Sequence, residues 1–253
     1  MSQRDFQAGF YDTCEKVRDR ESRLQKADKI AYFLGKFSPI PLSSAICLDV
    51  GCSSGIITAA LAPLFSHTIG LDYDAIAFEN IASSPQPTLQ FIRGDAMNLP
   101  LSDHSIDTII CVQVYEHVAD DRRLVEEMKR VLKEGGIIFF SGPNKLFPVE
   151  PHYFLPFLHW LPGALANRYL RLLGRGEHYY ERSRTLWSLR RLTSGFTLRD
   201  VTIDVFLREL GILPEPWNNL VRRIPRSVWT LLMPIFPNFN WVLCKPAQQN
   251  NRL

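Results

Sequence analysis

The sequence predicts an α/β fold in which a parallel sheet carries helices on both faces. Three observations carry that prediction. Short apolar runs rich in β-branched residues alternate with helix-like runs between residues 45 and 143. A loop of small residues, GCSSG at 51–55, joins the first strand-like run to the first helix-like run. Acidic residues, Asp49, Asp72 and Asp95, recur near the ends of successive strand-like runs. Strands and helices alternating at this spacing form βαβ units, and those units build a doubly wound sheet.

The elements follow in order. Residues 1–40 read as an amphipathic helical region crowded with charge and ended by Pro39 and Pro41. AICLDV (45–50) reads as a buried strand and leads to a helix over about 56–65. HTIGLDYD (67–74) is a second strand, followed by a helix in AIAFENIAS (75–83). TLQFIRGDA (88–96) is the third strand and IDTIICVQV (106–114) the fourth. DDRRLVEEMKRVLK (120–133) is a helix, with Leu124, Val125, Met128, Val131 and Leu132 recurring at helical spacing. Gly135 and Gly136 read as its cap, and IIFFSGP (137–143) as the fifth strand.

Composition narrows the function classes. A chain of 253 residues with 46% hydrophobic and 22% charged content buries a full globular core. Its five cysteines, an odd number with no CxxC pair, point to reduced thiols in a cytosolic setting. The first residues, MSQRDFQAGFYD, lack the apolar stretch of a secretory signal. No run reaches the about 20 uninterrupted apolar residues of a membrane span. Charge is uneven: residues 1–142 carry 14 Lys/Arg against 19 Asp/Glu, and residues 143–253 carry 15 against 7. The basic C-terminal part is suited to something anionic.

The loop after the first strand locates a ligand. In open α/β sheets, ligands bind beyond the carboxyl ends of the strands, where the strand order reverses. A glycine turn there lets a ligand approach the backbone, and the next helix offers free N–H groups. Asp72 lies 21 residues beyond Gly51, where a carboxylate accepts both hydroxyls of a ribose. Asp95 ends the third strand, where a carboxylate accepts the exocyclic amine of adenine. A nicotinamide dehydrogenase is the first rival, but the loop lacks its G-x-G-x-x-G pattern. Asp49, two residues before Gly51, is a poor neighbour for a pyrophosphate and suits the amino group of an amino-acid-bearing nucleoside.

LDVGCSSG, GLDYD, FIRGDAMNLPLSDHSIDTIICVQVYEHV and LKEGGIIFFSGPN together resemble the class I S-adenosylmethionine-dependent methyltransferases, closest to the small-molecule, type 11-like group. The resemblance covers about residues 45–145 and implies S-adenosylmethionine as cofactor. It implies that Asp49 and the Gly51, Cys52, Ser53 and Gly55 loop hold the methionine moiety. It assigns Asp72 to the ribose, Asp95 and Ala96 to adenine, and Tyr73 and Gln113 to the cofactor site. Ser53 departs from the family, which usually has glycine there. The resemblance further implies a Rossmann-like sheet of seven strands, mostly parallel, with an antiparallel last strand and a helical insertion after strand five. The sixth strand falls at 195–206 and the seventh at 239–246. Residues 1–44 then form an N-terminal helical segment and 45–253 the methyltransferase domain, with substrate-cap insertions at about 143–194 and 207–237.

The insertions set expectations for the acceptor. The first is aromatic and proline-punctuated, then arginine-rich, with eight arginines from Arg168 to Arg199. The second pairs Arg222, Arg223 and Arg226 with Trp229, Leu232 and Phe236. Basic residues beside apolar ones suit a lipid-linked or glycan-derived anionic acceptor and peripheral contact with an anionic membrane. His117, after strand four, is the expected catalytic base for transfer to a hydroxyl. Some similar methyltransferases hold a divalent cation with an ExxEH cluster and a later histidine. Here Glu116, His117 and His152 remain, but Gln113 replaces the first carboxylate, so no metal is expected. A nucleic-acid methyltransferase is an alternative, and the absence of an NPPY-type motif speaks against it. A noncatalytic S-adenosylmethionine-binding module is the other.

Overall fold

A computed structural model describes residues 19–75, 86–210, 219 and 223–247. Helix α1 (Arg20–Phe37) starts where the Asp19 carboxylate accepts the N–H of Ser22. Strand β1 (Ile46–Val50) follows, then α2 (Ile56–Leu61), which continues as a 3₁₀ turn through Leu64. Next come β2 (His67–Asp72), β3 (Leu89–Arg93) and β4 (Ile106–Val112). The helix expected at 75–83 lies almost wholly outside the described residues. Helix α3 (Asp121–Val131) is capped by Asp120, whose carboxylate accepts the N–H groups of Arg122 and Arg123. Its Leu124, Val125, Met128 and Val131 are buried, as the spacing predicts.

The central sheet has seven strands in the order β3-β2-β1-β4-β5-β9-β8. Here β5 is Leu132–Pro143, β8 is Thr197–Asp200 and β9 is Asn238–Cys244. Strand β9 runs antiparallel to both β5 and β8, and the other neighbouring pairs are parallel. This is the sheet that the resemblance implies. Strand order reverses between β1 and β4, which pair with Asp49 opposite Ile110 and Val50 opposite Cys111. The crevice beyond their carboxyl ends is therefore the ligand position of an open α/β sheet.

Both faces are covered. On one face Leu48, Ile109, Phe140 and Trp241 pack under α3 and under α5 (Leu186–Leu192). On the other face Cys47, Ile110, Phe139 and Val242 pack under α1, α2 and α6 (Thr202–Leu210). Helix α1 is integral to that second layer, with Ile30, Phe33 and Leu34 buried and the Phe33 ring 6.3 Å from that of Phe139.

Three expectations need correction. The sixth strand ends at Asp200, and the stretch from Thr202 is helix rather than strand. The Asp200 carboxylate accepts the N–H of Thr202, and Val201 and Val205, four apart, are both buried. Gly135 and Gly136 do not cap α3, because the chain enters β5 at Leu132 and the glycines lie within its first half. Gly135 takes φ +75° there and donates its N–H to the carbonyl of Lys245. The first insertion is only partly helical. It holds a two-stranded ribbon of β6 (Val149–Glu150) and β7 (Leu155–Pro156), then α4 (Gly163–Leu172) and α5.

The basic and apolar residues of the second insertion are also placed differently. In and after α7 (Arg226–Leu232), Trp229 and Phe236 point inward and pack with Ile203 and Phe206. Arg226 makes two hydrogen bonds to the carboxylate of Asp204, at 2.7 and 2.9 Å. Arg222 lies outside the described residues. No helix among the described residues is long and apolar enough to cross a membrane.

Candidate active site

The site begins with the turn after β1. Gly51 takes φ +73° and donates its N–H to the carbonyl of Leu71 at 2.7 Å. A Cβ on Gly51 would stand 2.6 Å from Cγ2 of Val114, so only glycine fits. Ser53 is left-handed too, at φ 47°, and Gly55 at φ 69° begins α2. A serine in that region costs about 1–2 kcal/mol. The Ser53 N–H donates to Asp72 Oδ2 at 2.7 Å, which ties the turn to the end of β2. The other oxygen, Oδ1, accepts the N–H of Asp74 at 2.9 Å. Burial lifts the Asp72 carboxyl above its ordinary range, against these backbone bonds.

Asp49 sits beneath the turn. Its Oδ2 accepts the Thr58 hydroxyl at 2.6 Å. Burial pushes its pKa up to about 7; the Thr58 bond and nearby Arg23 pull it down, and Asp72 raises it. At the end of β3, Asp95 Oδ1 accepts the N–H of Met97. After β4, Gln113 adopts φ 58° and donates Nε2–H to Asn238 Oδ1 at 3.2 Å.

These groups meet in a cavity of about 360 Å³. Gly51, Ser53, Asp72, Tyr73, Asp95, Ala96 and Gln113 line it. Asp49 and Cys52 are buried, and neither they nor Gly55 line it. Sequence reasoning missed four of the residues that line it. Asp74 lines the cavity beside Asp72; its place two residues past a strand-end aspartate was the available signal. Arg23, Lys26 and Lys29 of α1 line it too, at a three-residue spacing that places them on one helix face.

His117 and His152 also line the cavity, with ring centroids 4.8 Å apart. Burial and the neighbouring His152 hold His117 well below the ordinary histidine pKa, so its imidazole is neutral at pH 7. His152 Nδ1 lies 2.7 Å from Glu150 Oε1, while Oε2 of that carboxylate accepts the N–H groups of His152 and Tyr153. Burial opposes a charge on His152, but the Glu150 bond outweighs it and raises the pKa. Glu116 is fully buried, and neither of its oxygens has a hydrogen-bond partner among the described residues. Burial pushes its carboxyl up to about 8. Glu116, His117 and His152 bring one ligand atom each within 4.8 Å of one another, which is a donor set that could hold a divalent cation.

The family profile of a methyltransferase domain matches residues 48–140, the stretch that carries the turn, the three strand-end carboxylates and Gln113. Residues 48–140 are thus similar to a methyltransferase domain, and the seven-stranded sheet has the fold of that group. A probable S-adenosylmethionine-dependent methyltransferase of Mycolicibacterium smegmatis is 34% identical over 99 residues, which is 39% of this chain and 38% of that protein. The chain thus spans less than half the length of that methyltransferase relative. A ubiquinone biosynthesis O-methyltransferase of Xylella fastidiosa is 29% identical over 195 residues, 74% of this chain and 72% of that one. Among solved structures, the putative methyltransferase in a Haloferax volcanii complex with the Trm112 activator shares the fold, with TM-score 0.60 and 18% identity. That likeness covers 99% of this chain and 100% of the other.

The cofactor of these methyltransferases fits the residues present. The turn has no side chain at Gly51, and Asp72 and Asp95 line one cavity with it.

Proposed function

We propose that the chain methylates an oxygen of a small, partly apolar acceptor, with Asp72 and Tyr73 holding the cofactor ribose, Asp95 and Ala96 its adenine, and the Asp49–Gly55 turn its methionine end. The observation that carries this reading is one cavity lined both by Gly51, Ser53, Asp72 and Asp95 and by Ile30, Val205, Phe206 and Phe236, with His117 and His152. Bound S-adenosylmethionine supplies an electrophilic sulfonium methyl group. The apolar lining excludes water and holds the acceptor close to the cofactor, which is most of what such a transfer needs. An imidazole nitrogen of neutral His117 takes the hydroxyl proton as the acceptor oxygen becomes a nucleophile. The name of the Xylella relative, an O-methyltransferase, supports an oxygen acceptor.

A lipid-linked or glycan-derived acceptor and peripheral membrane contact belong to the same reading. Phe154, Phe157, Trp160, Leu165 and Leu172 of the first insertion are exposed, and the exposed Arg168, Arg171 and Arg175 lie among or just after them.

The test is His117→Ala. Its kcat with a hydroxyl acceptor should fall about 10²–10⁴-fold, with affinity for S-adenosylhomocysteine nearly unchanged. Full turnover at every pH would remove His117 as the base.

A further inference from the structure

Strand β9 brings a buried amide to the cavity with one end engaged and the other open. Asn240 lines the cavity and is only 6% exposed. Its Oδ1 accepts the Ser141 hydroxyl at 3.0 Å. Its backbone is held as well: the N–H donates to Thr202 Oγ1 at 3.0 Å, and the carbonyl accepts the N–H of Val201. Its Nδ2 makes no hydrogen bond among the described residues. The groups that fix it, Ser141 and Thr202, are uncharged and line the same cavity.

Register sets Asn240 apart from the turn. Val112, Ser141 and Asn240 stand side by side on β4, β5 and β9, and β1 lies on the far side of β4. Neighbouring strands are about 4.8 Å apart, so β9 lies about 14 Å from β1, which carries Asp49, and about 19 Å from β2, which carries Asp72. Apolar residues share the cavity with Asn240: Val205 and Phe206 of α6, and Phe236 before β9. The rings of Phe206 and Phe236 lie 4.9 Å apart and form one aromatic surface. A buried N–H without a partner has lost water and gained no bond, a cost that a ligand oxygen removes. A site with such a donor rejects an analogue that leaves the donor unpaired.

We infer that Asn240 is a specificity-determining residue of the cavity: its Nδ2 donates to an uncharged oxygen, a carbonyl or hydroxyl, on a ligand whose apolar body lies against Val205, Phe206 and Phe236. Ser141 orients the amide for that bond. The inference rests on the methyltransferase reading in taking the cofactor to lie along β1, β2 and β3, and this other ligand to enter beside it.

The test is a cycle of two probes and several proteins. Acetophenone and cumene match in shape and differ by a carbonyl. Each is titrated calorimetrically into the full chain saturated with S-adenosylhomocysteine. The ratio of acetophenone affinity to cumene affinity should fall about fivefold to tenfold from wild type to Asn240→Leu, the size of a hydrogen bond lost from a buried donor. Asn240→Asp keeps an oxygen for Ser141 but removes the N–H donors, and should lower the ratio as much. Ser141→Ala frees the amide to rotate and should lower it less. Circular dichroism melts identify any variant that fails to fold, and if both Asn240 variants fail, the ratio in Ser141→Ala decides. An unchanged ratio in the folded variants would overturn the inference, and so would a wild-type chain that binds neither probe. Asn240→Leu that loses affinity for S-adenosylhomocysteine while keeping the ratio would also overturn it, since the amide would then serve the cofactor. Absence of S-adenosylhomocysteine binding to the wild-type chain would instead count against the methyltransferase reading, and the ratio on the unloaded proteins would still decide the role of Asn240.

Discussion

Gly51 and Asp49 show how single residues join fold to function. At Gly51 a methyl group would meet Val114 at 2.6 Å on a left-handed backbone. Gly51→Ala should therefore lower stability by about 1–3 kcal/mol, from backbone strain and overpacking, and weaken cofactor binding as well. Urea unfolding and calorimetry on the same variant read the two effects. Asp49 carries a folded-state pKa of about 7, above the ordinary 3.8 of an unfolded aspartate. The native state holds that proton more tightly between those values. Stability is fully retained below about 4, falls as pH rises toward 7 by at most about 1.4 kcal/mol per unit, and levels off above. Asp49→Asn should remove this slope, so the variant is more stable than wild type at pH 8 and nearly equal at pH 4. On the proposed placement of the methionine end at the Asp49–Gly55 turn, a cationic amino group favours ionised Asp49, so wild-type affinity for S-adenosylhomocysteine should rise with pH through about 7. Urea midpoints at the two pH values and binding isotherms across them check both statements. Gly51, Asp72 and Asp95 were legible because turn chemistry and strand-end position are local properties. Lys26 and Lys29 were not, because nothing local says which wall of a cavity a helix face will meet.

Elements were legible where period and caps agreed. Helix α3 shows both: an Asp120 cap and a buried Leu124–Met128 stripe. Asp120→Ala should cost about 0.5–2 kcal/mol, measured by thermal or urea unfolding. The stretch after Asp200 misled because VTIDVF is rich in strand formers, yet Asp200 caps Thr202 and Val201 and Val205 bury a helical face. Tertiary burial overrode propensity there. In the second insertion the pairing of Arg226 with Trp229 and Phe236 dissolved, because the aromatics found Phe206 and the arginine found Asp204. The exposed apolar and basic face lies instead on the first insertion, around α4. If it meets a membrane, the protein should co-sediment with anionic but not neutral vesicles. Binding should fade with salt, as screening shortens from about 10 Å at 0.1 M to about 3 Å at 1 M. Arg168→Glu with Arg171→Glu should weaken it, and equal recovery in the supernatant with both vesicle types would remove the contact.

At the scale of the molecule, a seven-stranded sheet places β1 and β4 side by side where strand order reverses. Elements far apart in sequence meet at that crevice: α1, the turn after β1, the ends of β2 and β3, the first insertion and the segment before β9. The sheet could be read from five alternating strands, and its last two strands followed from family resemblance. The cavity's apolar lining could not be read, since it exists only once α1, α6 and Phe236 come together. The central claim is that this crevice is built for S-adenosylmethionine. Isothermal titration of the wild-type chain and Asp72→Ala with S-adenosylhomocysteine tests it most directly. Wild type should bind at micromolar Kd or tighter, about −8 kcal/mol or better. Asp72→Ala should lose about 1–3 kcal/mol through the missing charged acceptor. No heat with S-adenosylhomocysteine, together with binding of a nicotinamide dinucleotide, would contradict the account.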